Sequence, residues 1–219
     1  MSDNTRPRRR YDGRSRREQA KRTRARILQS AHRVFLERGY AGATIPRIAA
    51  EAGVAVETIY RAAPGKAGLL AAAVETALAG GMDNADLPVE QRPGIRRVIE
   101  EKDPVRKLKL YAATQPGVYG RAGALLRVLD EAATSIPDLA QVRERYAARR
   151  LEGMRQLATQ LAEQQALRAG LSPQQAADVL VTVCSRANYD SLVTDRGWSP
   201  EEYRDWVADT LVLTLLAVP

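Results

Sequence analysis

Residues 53–70 read GVAVETIYRAAPGKAGLL. Two breaks, at Gly53 and at Pro64-Gly65, enclose a segment of about two helical turns. The stretch before it, ATIPRIAAEAG at 43–53, has the marks of another short helix. Thr44 is placed to cap it, and Ile45, Ile48, Ala49 and Ala52 fall on one face. Gly53 supplies a residue that tolerates positive φ, so the chain can turn sharply. Val54 then packs between the two helices, and Ile59 is the inward residue of the second, expected over 55–62. Lys66 opens a further helix through Leu69, Leu70 and Val74. Upstream, Ile27, Leu28, Ala31, Val34 and Phe35 recur at helical spacing from Ala20 onward, and Gly39 ends that run. A longer helix followed by two short ones joined at a glycine outlines a helix-turn-helix.

The segment ATIPRIAAEAGVAVETIYRAAPGKAGLL resembles the DNA-binding segment of the TetR family of bacterial transcriptional regulators. The matching elements run in order: Gly39-Tyr40, Thr44, Ile48-Ala49, Ala52-Gly53-Val54, Thr58, Tyr60, Lys66 and Leu69-Leu70. The resemblance covers about residues 20 to 70. It implies an all-α fold: an N-terminal three-helix DNA-binding domain, then a C-terminal helical ligand-binding and dimerisation domain. Two positions depart from the family pattern. Ala63 stands where relatives usually carry Phe, which removes a packing anchor. Ala55 stands where a Ser-like cap is common, and a lost cap is worth roughly 1 kcal/mol.

A recognition helix is short, docked through one face and free on the other. With Ile59 docked, Val56, Glu57, Thr58, Tyr60 and Arg61 are the candidates to meet DNA. The Thr58 and Tyr60 hydroxyls suit phosphate oxygens, although core packing is the alternative for Tyr60. Arg61 suits a phosphate or a guanine edge, Val56 a thymine methyl, and Glu57 a cytosine amino group, unless it simply points away from the DNA. Thr44 and Arg47, at the start of the preceding helix, are placed near the backbone. Lys66 sits where a helix begins, so its ammonium adds to free N–H groups and the positive dipole end. Simple solvent exposure is the alternative there.

Charge is unevenly spread. Residues 1–26 hold ten Arg, one Lys and three acids, a net +8, which equals the net charge of all 219 residues. This block has no apolar periodicity up to about Arg17. It reads as an arm, residues 1–19, that is disordered alone and drawn to a polyanion. It is a nucleic-acid arm or a solubilising tail; no Trp, Phe or Leu interleaves to make a membrane anchor. The DNA-binding domain is then 20–66 and the regulatory and dimerisation domain 67–219. With 45% hydrophobic but only 5% aromatic residues, the composition favours helices. No apolar run is long enough to span a membrane, no signal peptide is evident, and the one cysteine excludes an internal disulfide, so a cytoplasmic protein is expected.

Beyond the first third, GGMDNADLPVEQRPG at 80–94 reads as a linker, with a short helix at 94–101. Asp103-Pro104, Gln115-Pro116, Ile136-Pro137, Ser172-Pro173 and Ser199-Pro200 read as helix starts. The last two add Gln175 and Glu202 three residues after the Ser, a capping box. Gly170 and Gly197 end the preceding helices. In the penultimate helix Ala176, Val179, Leu180, Val183 and Ala187 share a face. In the last, Val207, Leu211, Val212, Leu213, Leu215 and Leu216 cover much of the circumference, which needs cover on more than one side. That helix is either central to the monomer or half of a four-helix homodimer interface. The resemblance implies the latter.

The resemblance also implies a small-molecule effector of unknown identity bound in the C-terminal domain. Tyr111, Gln115, Tyr119, Leu125, Leu129, Tyr146, Met154, Cys184 and Asn188 are candidate lining residues, with plain packing the alternative for each. Cys184 reads as a core residue rather than a redox sensor, and His32 as structural. No catalytic site, metal site or cofactor is expected: there is no Gly-rich phosphate loop, no paired Cys or His and no nucleophile motif. The function expected is a dimeric, ligand-responsive repressor on near-palindromic double-stranded DNA. The alternative is a constitutive DNA-organising or partner-regulated protein without an inducer.

Overall fold

The computed structural model describes residues 13–217, with side chains from residue 16 onward. Among the described residues there is no strand; eleven helices carry the fold. Helix α1, Gly13–Gly42, is kinked at Gly39. Then come α2 (Ile45–Ala52), α3 (Val56–Ala62) and α4 (Gly65–Ala79). The connecting stretch folds as α5 (Met82–Ala85), a 3₁₀ turn and α6 (Pro93–Glu100). Two long helices follow, α7 (Pro104–Ala132) and α8 (Pro137–Glu163). Last are α9 (Pro173–Val183), α10 (Arg186–Tyr189), a π turn and α11 (Pro200–Leu215).

The caps explain most of these boundaries. Thr44 Oγ1 accepts from the Arg47 N–H at 3.3 Å, and Asp103 accepts from Arg106 N–H at 2.7 Å. Both Ser-Pro starts form full capping boxes: Ser172 with Gln175, and Ser199 with Glu202. Gly53 closes α2 in the left-handed region, φ 62 and ψ 43, where a Cβ is strained.

Three expectations are corrected. Residues 13–19, placed in a disordered arm, belong to α1, while residues 1–12 of that arm lie outside the described residues. Arg, Gln, Glu and Ala are good helix formers, and elongating a docked helix gains a hydrogen bond per residue without a new nucleus. Pro116 does not start a helix but lies inside α7. It costs one backbone hydrogen bond; packing of α7 against α1, α4, α8 and α11 holds the helix through it. Ala187 is not part of the penultimate helix, because the chain breaks at Cys184-Ser185 and Ser185 caps α10 by accepting from Asn188 N–H.

Two apolar clusters share the long helices. The first joins α1–α4 to Ala122, Leu125, Val128 and Leu129 of α7 and to Leu139 and Val142 of α8. The second joins α6, the first half of α7, the end of α8, α9 and α11. Packing therefore does not divide at residue 66, since Leu69, Leu70, Ala73 and Val74 of α4 sit in the first cluster. Buried Lys107 of α7 ties the second cluster's edge together: its ammonium donates to Ile99 O of α6 and to Gln160 Oε1 of α8. After α11 the chain pairs back on 166–168 through Arg168 N–H to Leu215 O and Ala217 N–H to Ala166 O.

The start of α4 has a close approach that only glycine permits. A Cβ on Gly68 would lie 2.7 Å from Pro64 Cδ and 2.8 Å from Cγ. The proline ring cannot rotate away, so Gly68→Ala is expected to destabilise the fold by about 1–3 kcal/mol, read as a lower midpoint in thermal unfolding.

Candidate nucleic-acid interface

Helix α2 buries the four residues its pattern marks, Ile45, Ile48, Ala49 and Ala52. Val54 N–H bonds back to Ala49 O at 3.0 Å, which fixes the turn through Gly53. Helix α3 then leaves on a new heading. It has no side-chain cap at Ala55 and only one fully buried residue, Ile59. It rests on α1, α2 and α4. Ala63 is buried and its N–H bonds to Ile59 O, so the position accepts a small residue and ends α3 by backbone contact.

The outward face of α3 carries Glu57, Tyr60 and Arg61, at the i, i+3, i+4 spacing that makes one stripe. Tyr60 is 58% exposed, which is not core packing. Arg61 donates to Thr58 Oγ1 at 3.2 Å, so Thr58, half-buried, orients the guanidinium. Val56 is half-buried against the first cluster. Thr44 and Arg47 are both exposed at the start of α2. Arg33 of α1 pairs with Glu51 at 2.8 Å and braces α2 from behind.

Lys66 is not simply solvent-exposed. Its Nζ donates to Tyr40 O at 2.8 Å and sits 4.2 Å from the centroid of the Tyr40 ring. That ring in turn stacks on Phe35 at 6.1 Å. Lys66 thus clasps the start of α4 to the end of α1, and two of its N–H donors have no partner among the described residues. The sequence offered Tyr40 only as an aromatic after a glycine; a partner 26 residues away has no local signature.

The candidate effector residues are distributed over two places. Tyr111, Met154 and Cys184 belong to the second cluster, with buried Gln115 and Tyr119 outside it and the Tyr119 ring against Tyr189 of that cluster. There Tyr111 OH reaches Met154 Sδ at 3.2 Å, Gln115 donates to Thr114 Oγ1, and Tyr119 OH and Arg150 both donate to Cys184 O. Tyr203 completes an aromatic layer with Tyr119, Tyr189 and Trp206, and its buried hydroxyl has no hydrogen-bond partner among the described residues. Burial pushes the Cys184 thiol up to about 12, so no thiolate forms near neutrality. Leu125 and Leu129 lie instead in the first cluster. Tyr146 belongs there too, and its hydroxyl donates to Ala71 O of α4 at 2.8 Å. Asn188 closes the end of α9 by donating to Thr182 O and Val183 O. Among the described residues no group of His, Cys, Asp and Glu is placed to hold a metal, and no helix is long and apolar enough to cross a membrane.

Helix α4 carries the head into the rest of the molecule through polar ties. Glu75 accepts from Arg92 at 2.8 Å and from Arg149 of α8 at 2.6 Å, and Arg121 of α7 donates to Ala77 O. Burial alone would push the Glu75 carboxyl up; the two guanidiniums outweigh it and hold it below the usual carboxylate range.

A short helix seated by one side chain, turned out after a left-handed glycine and showing a polar stripe, is the second helix of a helix-turn-helix. Residues 27–73 match the model for bacterial regulatory proteins of the tetR family. That match covers 47 of the 219 residues, and the whole chain has the fold of solved transcriptional regulators. No curated protein matches the chain in sequence. Among solved structures it is similar to native NalD, the secondary repressor of the MexAB-OprM multidrug efflux pump in Pseudomonas aeruginosa. That match is 22% identical with a TM-score of 0.71, over 90% of this chain and 98% of that one. FadR from Bacillus subtilis, in complex with stearoyl-CoA, is 19% identical with a TM-score of 0.68, over 85% and 96% of the two chains. The fatty acid degradation regulator FadR from Bacillus halodurans is 18% identical with a TM-score of 0.67, over 86% and 94%. At these identities the likeness shows the fold.

Proposed function

We propose that the protein is a homodimeric, ligand-responsive repressor that reads a near-palindromic operator. The observation that carries this is the α2–Gly53–α3 arrangement, with Ile59 seated and Glu57, Tyr60 and Arg61 outward. In this reading Tyr60, Thr58 and Thr44 meet phosphates, and Arg61 and Arg47 meet phosphates or base edges. Val56 and Glu57 tune which bases are accepted. Lys66, held by Tyr40, presents its remaining donors to the backbone. Lys66→Met is expected to weaken duplex binding on every sequence and to lower the slope of log K against log salt by about 1. An unchanged slope assigns Lys66 to the clasp alone.

The dimer reading places α9 and α11 at the interface. Tyr203, Val207, Ala208, Leu211 and Leu215 of α11 are buried within the monomer, so they need no partner. The remaining outer stripe has Trp206 and Thr210 half-buried and Leu213 70% exposed. A two-fold contact on this stripe would set two reading helices one DNA turn apart, about 34 Å. For the effector, the unpartnered Tyr203 hydroxyl among Tyr119, Tyr189 and Trp206 offers a buried polar handle in an apolar layer. A ligand favouring one arrangement of α7 and α8 would shift the balance between DNA-competent and released states. Light scattering at micromolar concentration, paired with titration of upstream DNA against random duplex, tests the reading. A dimer with strong preference for the upstream DNA supports it; a monomer, or equal binding to both duplexes, overturns it.

A further inference from the structure

Helices α6 and α7 meet through residues 101–103, and the joint borders an open groove of about 680 Å³. Its walls are Arg97 and Glu100 from the end of α6, Glu101 and Lys102 from the joint, and Arg106, Lys109 and Leu110 from α7. Arg106, Lys109 and Leu110 lie within one turn and a fraction of each other, on a common face of α7. Four cations thus face two carboxylates.

The carboxylates are already engaged. Glu101 Oε1 accepts from the N–H of Lys102 at 2.8 Å and of Asp103 at 2.9 Å, folding the side chain back onto the start of α7. Glu100 pairs with Arg96 at 3.7 Å. Arg106 is shared loosely between Asp103 at 3.7 Å and Glu101 at 3.9 Å. Asp205, which lies within electrostatic reach of Lys109, is bonded to Arg204. Arg97, Lys102 and Lys109 have no acid at ion-pair distance among the described residues. They are exposed cations from two helices and their joint, converging on one concavity with an apolar floor at Leu110.

We propose that this groove binds a small organic polyphosphate, its phosphates among Arg97, Lys102, Arg106 and Lys109 and its uncharged part against Leu110. Guanidinium forks and ammonium groups suit tetrahedral oxyanions, and several phosphates on one molecule engage several cations at the entropic cost of binding one. Four cations spread over two helices and their joint suit several linked phosphates rather than a lone one. In the function proposed above, duplex DNA is met by α3.

Titration calorimetry on the full chain at physiological salt, with ATP, inorganic tripolyphosphate and adenosine as probes and no divalent metal, tests this. Because the basic first helix and the DNA face also attract polyanions, each titration is repeated on Arg97→Glu/Lys109→Glu, on the milder Arg97→Gln/Lys109→Gln, and on Arg47→Ala/Arg61→Ala. The proposal expects saturable binding of ATP and tripolyphosphate but not of adenosine. It expects affinity to fall roughly tenfold or more in the charge-reversed groove variant. The neutral groove variant should be intermediate and the DNA-face variant unchanged. ATP tighter than tripolyphosphate supports an organic phosphate seated on Leu110; tripolyphosphate as tight or tighter overturns the placement of an uncharged part there. Binding that survives both groove substitutions, binding lost in the DNA-face variant, or no binding of either phosphate probe overturns it. Thermal melts of the groove variants, whose substituted side chains are exposed, confirm that they remain folded.

Discussion

Ile59→Ala is expected to abolish sequence-specific duplex binding while leaving most of the helix content in place. Helix α3 has seven residues, no side-chain cap and one fully buried side chain. A helix that short has no stability of its own in water, so its docking decides whether it exists. Truncating a buried Ile to Ala costs about 2–5 kcal/mol. The loss falls on a short element whose one fully buried side chain is the one removed, so α3 should open locally rather than the whole chain unfold. Hydrogen exchange checks this. Amides of α3 should lose protection, while those of α7 and α8 keep theirs. Equal loss throughout would show that α3 is not a separate unit.

Glu75→Gln should have the second largest effect, on stability and on its pH dependence. The carboxylate holds Arg92 from the stretch before α6 and Arg149 from α8 against α4. Hydrogen bonds to charged groups contribute about 1.5–3 kcal/mol, and Gln can replace only part of two of them. A loss of about 2 kcal/mol is expected in denaturant unfolding, with an unchanged slope. The carboxyl is held below its unfolded value, so its contribution is fully present above the unfolded carboxylate pKa and disappears as pH falls through the folded one. The wild-type chain should therefore lose more stability than Glu75→Gln as pH drops from neutrality into the acid range. Parallel pH profiles for the two would contradict the assignment.

Local chemistry made the head of the molecule readable from its residues. Thr44, Gly53 and the spacing of Ile45, Ile48, Ala49 and Ala52 act within one helix or one turn, and each does in three dimensions what its position suggests. The same holds for Ser172-Pro173 and Ser199-Pro200, whose capping boxes close within four residues. Pro116 misled because its local preference for a first turn is overridden by packing along α7. The Lys66–Tyr40 clasp, the Tyr146–Ala71 bond and the Glu75 ion pairs join residues far apart in sequence, and no spacing rule reports them. The candidate effector residues divided between two clusters for the same reason: α7 and α8 pass through both, so nearness along the chain does not fix which core a side chain meets.

Hydroxyl-radical footprinting of the full chain on the DNA upstream of its own coding region tests the central claim most directly. The account predicts two protected patches on one face of the duplex, about 10 base pairs from centre to centre, in a near-palindromic sequence. Both patches should vanish together in Arg47→Ala/Arg61→Ala. Protection of a single patch, or uniform protection that follows length rather than sequence, would contradict a dimer that reads DNA through α3.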